Sequence, residues 1–276
     1  MSIGPLLAVG TATALALLRP QLLAVAGPVL LLWLLSPVLV WWLDRPPQRE
    51  RAALSDAQTV FLRRLARRTW AFFETHVGPD DHHLPPDNMQ EQPVARTAHR
   101  TSPTNIGFAL LANMTAHDFG YITGDDLLAR TAATLQTMEQ LEKYRGHFYN
   151  WYDTQSLQPL RPHYVSFVDS GNLAGHLLTL RAGLLALPDA PVLAARWCDG
   201  VRDTLSLLQE TLAAGAGRIA GDVLQPFEQQ LAVDLRAPPA TLDAAWAMLD
   251  AQSRGANELL AALSDAAPAD ADAPWR

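Results

Sequence analysis

Gln21–Leu43 runs for 23 positions without a charged side chain, and few folds can house such a stretch. As a helix rising ~1.5 Å per residue it reaches ~35 Å, enough for a ~30 Å hydrocarbon core. Trp33 lies within it, and Trp41 and Trp42 end it beside Asp44 and Arg45. That is the pattern of an aromatic belt at a membrane interface. Pro28 and Pro37 are tolerated in a membrane helix where neighbouring groups satisfy the freed carbonyls. Ile3–Leu18 is also apolar but shorter, and Arg19-Pro20 follows it. It fits a second span, a remnant of one, or half of a hairpin. A buried core helix and a cleaved signal peptide stay open as rival readings. Ala24-Val25-Ala26 resembles a cleavage site, although Met1–Leu7 has no positive n-region. Arg45, Arg49, Arg51, Arg63, Arg64, Arg67 and Arg68 follow the span. By the positive-inside rule they place the next domain in the cytoplasm.

Beyond this block the chain reads as helical. Ser55 can cap a helix from Asp56 to about His76, with Val60, Phe61, Leu65, Trp70 and Phe73 at helical spacing. Ser102-Pro103 opens another that ends at Gly120, and Gly124-Asp125 opens the next. Residues 171–187, 191–212 and 241–263 carry the same periodicity, and no strand pattern stands out. Two long polar loops, 78–98 and 145–168, interrupt the helices, and loops of that length in compact domains are functional or disordered. A net charge of −7 without a basic stripe argues against nucleic acid as a partner. Cys198 is the sole cysteine, so neither an intramolecular disulfide nor a cysteine-rich metal site can form. It reads as a small buried residue. His76, His82 and His83 lack the spacing of a metal site and read as solvated loop residues. No cofactor motif is present. The Ala/Asp/Pro-rich tail, 265–276, reads as disordered.

Three clusters could carry chemistry. Asp87 and Asn88 precede Arg100, Thr104 and Asn105; His117 and Asp118 stand before Phe119-Gly120; and His147, Asn150, Trp151 and Asp153 precede Asp169 and Asn172. Sugars present rings of hydroxyls around apolar faces. A sugar site therefore wants flat aromatics together with Asp, Asn, Arg and His. The segment Gly146–Asp153 alternates the two kinds. A loop that packs over helices would read the same way, and the residues alone do not separate the two.

Arg100–Gly107, Ala116–Gly120, Gly146–Asp153 and Val168–His176 resemble the cyclic β-1,2-glucan synthase family. Leu31–Pro37 and Trp41-Trp42 resemble the last membrane segment of those bacterial inner-membrane proteins. The resemblance implies an all-α chain. It would hold a transmembrane helix or hairpin at 1–45, the first part of a glycoamylase-like (α/α)6 toroid at 46–264, and the tail at 265–276. It implies a fragment that contributes to binding linear β-1,2-glucan and closing it into rings by transglycosylation, with little or no activity alone. The remaining synthase domains would be partners on a separate chain. Asp87, Asn88, Arg100, Thr104, Asn105, Asp118, His147, Asn150, Trp151, Asp153, Asp169 and Asn172 become candidate substrate-binding residues. The catalytic carboxyls are expected beyond Arg276, and Glu139 and Glu142 are expected on a solvated helix face. A membrane-anchored scaffold or carbohydrate-binding protein, docking on a separate glycosyltransferase, is the alternative.

Overall fold

The structure, a computed structural model, describes residues 3–44, 53–191, 196–215, 219–237 and 239–266. Arg45, Arg49, Arg51, Pro46-Pro47 and positions 267–276 of the expected tail lie outside the described residues. The chain divides into two units, Met1–Ser55 and Asp56–Arg276.

The first unit is a helical hairpin. Helix α1 (Ile3–Leu18) and helix α2 (Leu23–Leu43) are joined by a 3-10 turn, Pro20–Leu22. Pro20 opens that turn, where a missing N–H costs nothing. A methyl group on Gly4 would sit 3.4 Å from Ser36 Oγ and 3.7 Å from the Trp33 carbonyl oxygen. The start of α1 therefore lies against the far end of α2, and a glycine there lets the backbones come close. Pro28 and Pro37 both sit inside α2. Pro20–Leu43 spans 24 residues at a mean hydropathy of 2.3, and only 6% of its most apolar window is buried. It is long and apolar enough to cross a membrane, and its exposure is the opposite of what a core helix shows.

Among its described residues, the second unit is all-α apart from three short ribbons. Its described helices are α3 (Asp56–His76), α4 (Pro103–Phe119), α5 (Gly124–Gln140), α6 (Phe167–Ala186), α7 (Arg196–Gly215), α8 (Ile219–Arg236) and α9 (Leu242–Ala266). Local chemistry sets their ends. Ser102 caps α4 by accepting from Asn105 N–H, and Pro103 supplies the first turn. Gly120, at φ +79°, closes α4 in the left-handed region. Thr123 and Asp126 form a reciprocal capping box on α5. Lys143 Nζ donates to the carbonyls of Met138, Glu139 and Leu141 at its other end. Helix α6 begins at Phe167, capped by Ser166, four residues before the position expected from sequence. Helix α8 was not expected. Pro226 stands inside it, and it nevertheless buries Leu224, Phe227 and Leu231 at helical spacing.

Two apolar clusters form. Ile106 and Leu110 of α4 meet Leu173 and Leu180 of α6 together with Leu84, Met138, Leu141 and Tyr152. Cys198 and Leu205 of α7 meet Leu224, Phe227 and Leu231 of α8 and Leu259 of α9. Burial pushes the Cys198 thiol up to about 11, which leaves it protonated and inert.

Helix α7 ties to α3 through arginines. Arg63 bonds Asp203, Arg64 bonds Ser206, Arg67 bonds Thr204, and Arg68 pairs with Glu210. These four cations, counted from sequence as membrane-flanking charge, thus also hold a helix pair together.

Burial also acts on two phenols. Tyr152 is fully buried, its hydroxyl donates to the Glu142 carbonyl at 2.7 Å, and its pKa is pushed up to about 12. Tyr121 is likewise driven above its ordinary value, by burial first and then by the charge of Asp203. An unfolded tyrosine ionises near pH ~10. The stability these neutral phenols contribute is therefore complete below about pH 10 and lost as pH rises towards the folded values. Thermal unfolding across pH 8–12 should show a falling alkaline limb that Tyr152→Phe flattens. An unchanged limb would reject that cause.

Candidate functional site

Both long loops fold onto one end of α4 and α6. The register is set by a two-residue ribbon in which β3 (Arg100–Thr101) pairs antiparallel with β6 (Tyr152–Asp153). Two further ribbons shape the loops. In one, β1 (Met89–Gln90) pairs with β2 (Arg96–Thr97). In the other, β4 (Lys143–Tyr144) pairs with β5 (His147–Phe148) across Arg145-Gly146, at φ 50° and 86°. Two successive positive φ values are what a tight type I′ hairpin turn requires.

Beneath the ribbons, buried Asp81 accepts from Thr154 Oγ1 and pairs with His99 Nδ1 at 2.8 Å. His82 Nδ1 bonds the Thr154 carbonyl at 2.9 Å. The carbonyls of His82 and His83 accept from Thr137 and Thr134 of α5. Both histidines are left-handed, at φ 51° and 59°. They are therefore loop residues, His82 exposed as expected, in a loop braced through its own carbonyls and His82 Nδ1. Glu139 and Glu142 are exposed, on the solvent side of α5 and just past its end.

One network joins most of the candidate residues. Asp87 is its hub, accepting from Arg100 Nε at 3.1 Å and Arg100 Nη2 at 2.8 Å. It also accepts from Asn88 Nδ2 at 3.0 Å and Asn105 Nδ2 at 3.3 Å. The Arg100 guanidinium lies 5.1 Å from the centre of the Trp151 ring, a cation–π arrangement. The hydrogen-bond pattern orients the buried Asn150 amide with its nitrogen donating to Asp169 Oδ2 at 2.8 Å. Its oxygen accepts from Trp151 Nε1 and from the Tyr164 hydroxyl, each at 2.8 Å. Beside this chain of contacts, Asn172 Nδ2 donates to Thr104 Oγ1 at 3.2 Å, linking α6 to α4. A planar cation, an indole, two carboxylates and several amides are thus fixed next to one another.

Three candidates lie elsewhere. Asp153 turns into its own loop, where Oδ1 accepts from Gln155 N–H, Ser156 N–H and the Ser156 hydroxyl. These bonds, the Ser156 N–H foremost, hold its carboxyl below the ordinary range, and they make it a loop staple. Asp118 sits at the opposite end of α4, 14 residues past Thr104 and therefore ~21 Å along the helix. Its neighbours there are Arg196 at 3.7 Å and His117 at 3.9 Å. Burial, then the charge of Arg196, pulls the His117 pKa below its ordinary value. The His117-Asp118-Phe119-Gly120 motif is a helix end that packs on α7. His147 makes no contact with the network and lines a cleft of about 490 Å³ with Tyr144, Tyr149, His163 and Tyr164, which meets the network at Tyr164.

Sequence reasoning did not single out Tyr164, whose hydroxyl closes the Asn150 contacts. It also missed a groove of about 630 Å³ between α3 and α4. Asp87 and Asn105 form the polar end of that groove, and Trp70, Phe73, Phe108 and Phe119 line its walls. In the sequence, Trp70 and Phe73 show only as part of a helical apolar stripe. Among the described residues, no three His, Cys, Asp or Glu side chains gather as metal ligands do.

No family model matches the chain. A crystallised protein assigned provisionally as a glucoamylase, from Bacteroides fragilis NCTC 9343, is similar at 19% identity and a TM-score of 0.38. That match covers 47% of this chain and 31% of the other, a likeness too weak to support any argument. The sequence comparison is far stronger. Over 215 residues, 74% of its length, the chain is 40% identical to the cyclic beta-(1,2)-glucan synthase NdvB of Rhizobium meliloti (strain 1021). It spans 8% of that protein's length. By sequence, the chain is similar to one segment of a cyclic β-1,2-glucan synthase.

Proposed function

We propose that the helical unit binds linear β-1,2-glucan at the Arg100–Trp151–Asp169 network, as part of the machinery that closes the glucan into rings. The observation that carries this reading is the network itself. Asp87 pre-orients the Arg100 fork, Asp169 orients the Asn150 amide that accepts from the Trp151 indole, and Asn105, Thr104 and Asn172 stand beside them. A pyranose ring would stack on the indole face turned away from Arg100, while the guanidinium on the opposite face and the nearby amides bond hydroxyls of a neighbouring glucosyl unit. Donors fixed before the ligand arrives cost less ordering on binding. Asp87 and Asp169 hold other side chains in place, a binding role rather than a catalytic one. Retaining transglycosylation needs two carboxyls ~5–5.5 Å apart, and that pair would come from outside the network. The helices are read as part of an (α/α)6 toroid, with the apolar hairpin as an inner-membrane anchor and the helical unit on the cytoplasmic side.

Calorimetric titration of the full chain in lipid nanodiscs with linear β-1,2-gluco-oligosaccharides tests this, together with a search for shortened or cyclic products. Trp151→Ala should weaken binding by ~1–3 kcal/mol, or about 5–150-fold in Kd. Equal affinity in a variant with an unchanged circular dichroism spectrum would overturn the assignment.

A second reading is favoured by the outward stripe of α6. Phe167, Val168, Leu178 and Leu185 are exposed there at helical spacing, Phe167 at 93%. Such a stripe suits a scaffold that docks on a separately encoded glycosyltransferase. Co-purification with such an enzyme, without glucan binding, would support it.

A further inference from the structure

The cleft lined by Tyr144 and His163 has no assigned role. It measures about 490 Å³, within the ~300–1,000 Å³ of small-molecule sites. Tyr144, Tyr149, Tyr164, His147, His163 and Ser170 line it, with Val165 and Phe167 at its edge. Tyr149 and His163 brace each other at 5.1 Å between ring centres, while Tyr144 is 52% and Tyr164 46% exposed. No carboxylate, lysine or arginine is among the lining residues, although the Arg145 guanidinium lies 5.4 Å from the centre of the Tyr144 ring. Nearly every wall is an aromatic face with a polar tip, the surface that suits a neutral polyol with apolar ring faces. The cleft also adjoins the network. Tyr164 bonds Asn150 through its hydroxyl, and its carbonyl accepts from Asn150 N–H at 2.9 Å. Ser170 follows Asp169 directly on the first turn of α6.

We infer that this cleft is a second glucosyl subsite, so that one glucan chain is held at the Trp151 network and in the cleft at once. The inference rests on the glucan-binding reading given above and names the part of the polymer that lies beyond Trp151. Two linked subsites make affinity depend on chain length, because the second contact is intramolecular once the first has formed.

Full chain in nanodiscs is titrated with β-1,2-linked glucose oligomers from the disaccharide upward. Longer oligomers should bind about tenfold tighter than the disaccharide. Tyr144→Ala and His163→Ala, at exposed positions outside the network, should each erase most of that gain and leave disaccharide affinity unchanged. Trp151→Ala should weaken every length. Length dependence that survives both cleft variants, or is absent from the unaltered chain, overturns the second subsite and leaves the first reading intact. An unaltered chain that binds no oligomer overturns both.

Discussion

Gly120→Ala should destabilise the helical unit by about 4 kcal/mol, at the top of the range for single substitutions. Two costs combine at this position. The backbone sits at φ +79°, which strains any residue with a side chain by ~1–2 kcal/mol. A methyl group there would also fall on the carbonyl of Arg196 and within 2.9 Å of the Trp197 Cα. Those are backbone atoms at the start of α7, so no side chain can swing aside, and overpacking adds ~1–3 kcal/mol. Two other glycines separate the terms. Gly146 has φ +86° with open space around it, so Gly146→Ala should cost only the strain, about 1 kcal/mol. Gly200 is helical, and its added methyl group would meet the Gly120 carbonyl, with the Gly120 Cα at 3.1 Å. Gly200→Ala should show the clash, reduced by the ~1 kcal/mol that alanine gains over glycine inside a helix. Urea midpoints of the circular dichroism signal should rank Gly120→Ala below Gly200→Ala and Gly146→Ala. If Gly120→Ala costs no more than Gly146→Ala, the close contact between α4 and α7 is not tight in solution.

Asp203→Ala should cost about 3 kcal/mol through the same helix. Asp203 is 5% exposed and accepts from Arg63 Nε at 3.0 Å and Tyr121 hydroxyl at 3.1 Å, with Arg63 Nη2 at 2.9 Å. Burial works against the Arg63 guanidinium, but the hydrogen bond and charge of Asp203 outweigh it and hold its pKa above the ordinary value. Truncating the aspartate leaves the Arg63 guanidinium without its carboxylate, although the Tyr121 hydroxyl keeps the Arg63 carbonyl at 3.2 Å, and breaking a buried pair costs ~3–5 kcal/mol. The low end applies because the Arg63 side chain keeps 23% of its exposure. The Arg68–Glu210 pair on the same two helices is 58% and 50% exposed. Glu210→Ala should therefore change stability by less than about 0.5 kcal/mol. Similar losses from the two substitutions would mean that surface charge, rather than the buried triad, joins α3 to α7.

What the sequence disclosed followed the strength of local signals. Capping chemistry at Ser102 and Gly120 made the ends of α4 readable, and the apolar run made α2 readable. Helix α6 began earlier than expected because Phe167-Val168 resembled the aromatic loop before it, and Ser166 was not recognised as its cap. Helix α8 was hidden by Pro226, although Leu224, Phe227 and Leu231 already had helical spacing. The ribbons are two residues per strand, too short for an alternating pattern to show. For the site, residue types marked the right loops but not the direction in which each side chain faces. Asp153 and Trp151 lie two apart, yet one closes an Asx turn while the other joins the network. Asp118 looked like a site residue because its motif is polar and glycine-ended, which is also how a helix terminates.

Asp87 has a consequence for sequence drift. One carboxylate orients Arg100, Asn88 and Asn105 together. A change at position 87 alone strands three donors, and a change at position 100 alone frees a carboxylate and uncovers an indole. Positions 87, 100 and 151 should therefore vary as a set across related sequences, while position 153, which serves only its own turn, should drift freely among turn-forming residues.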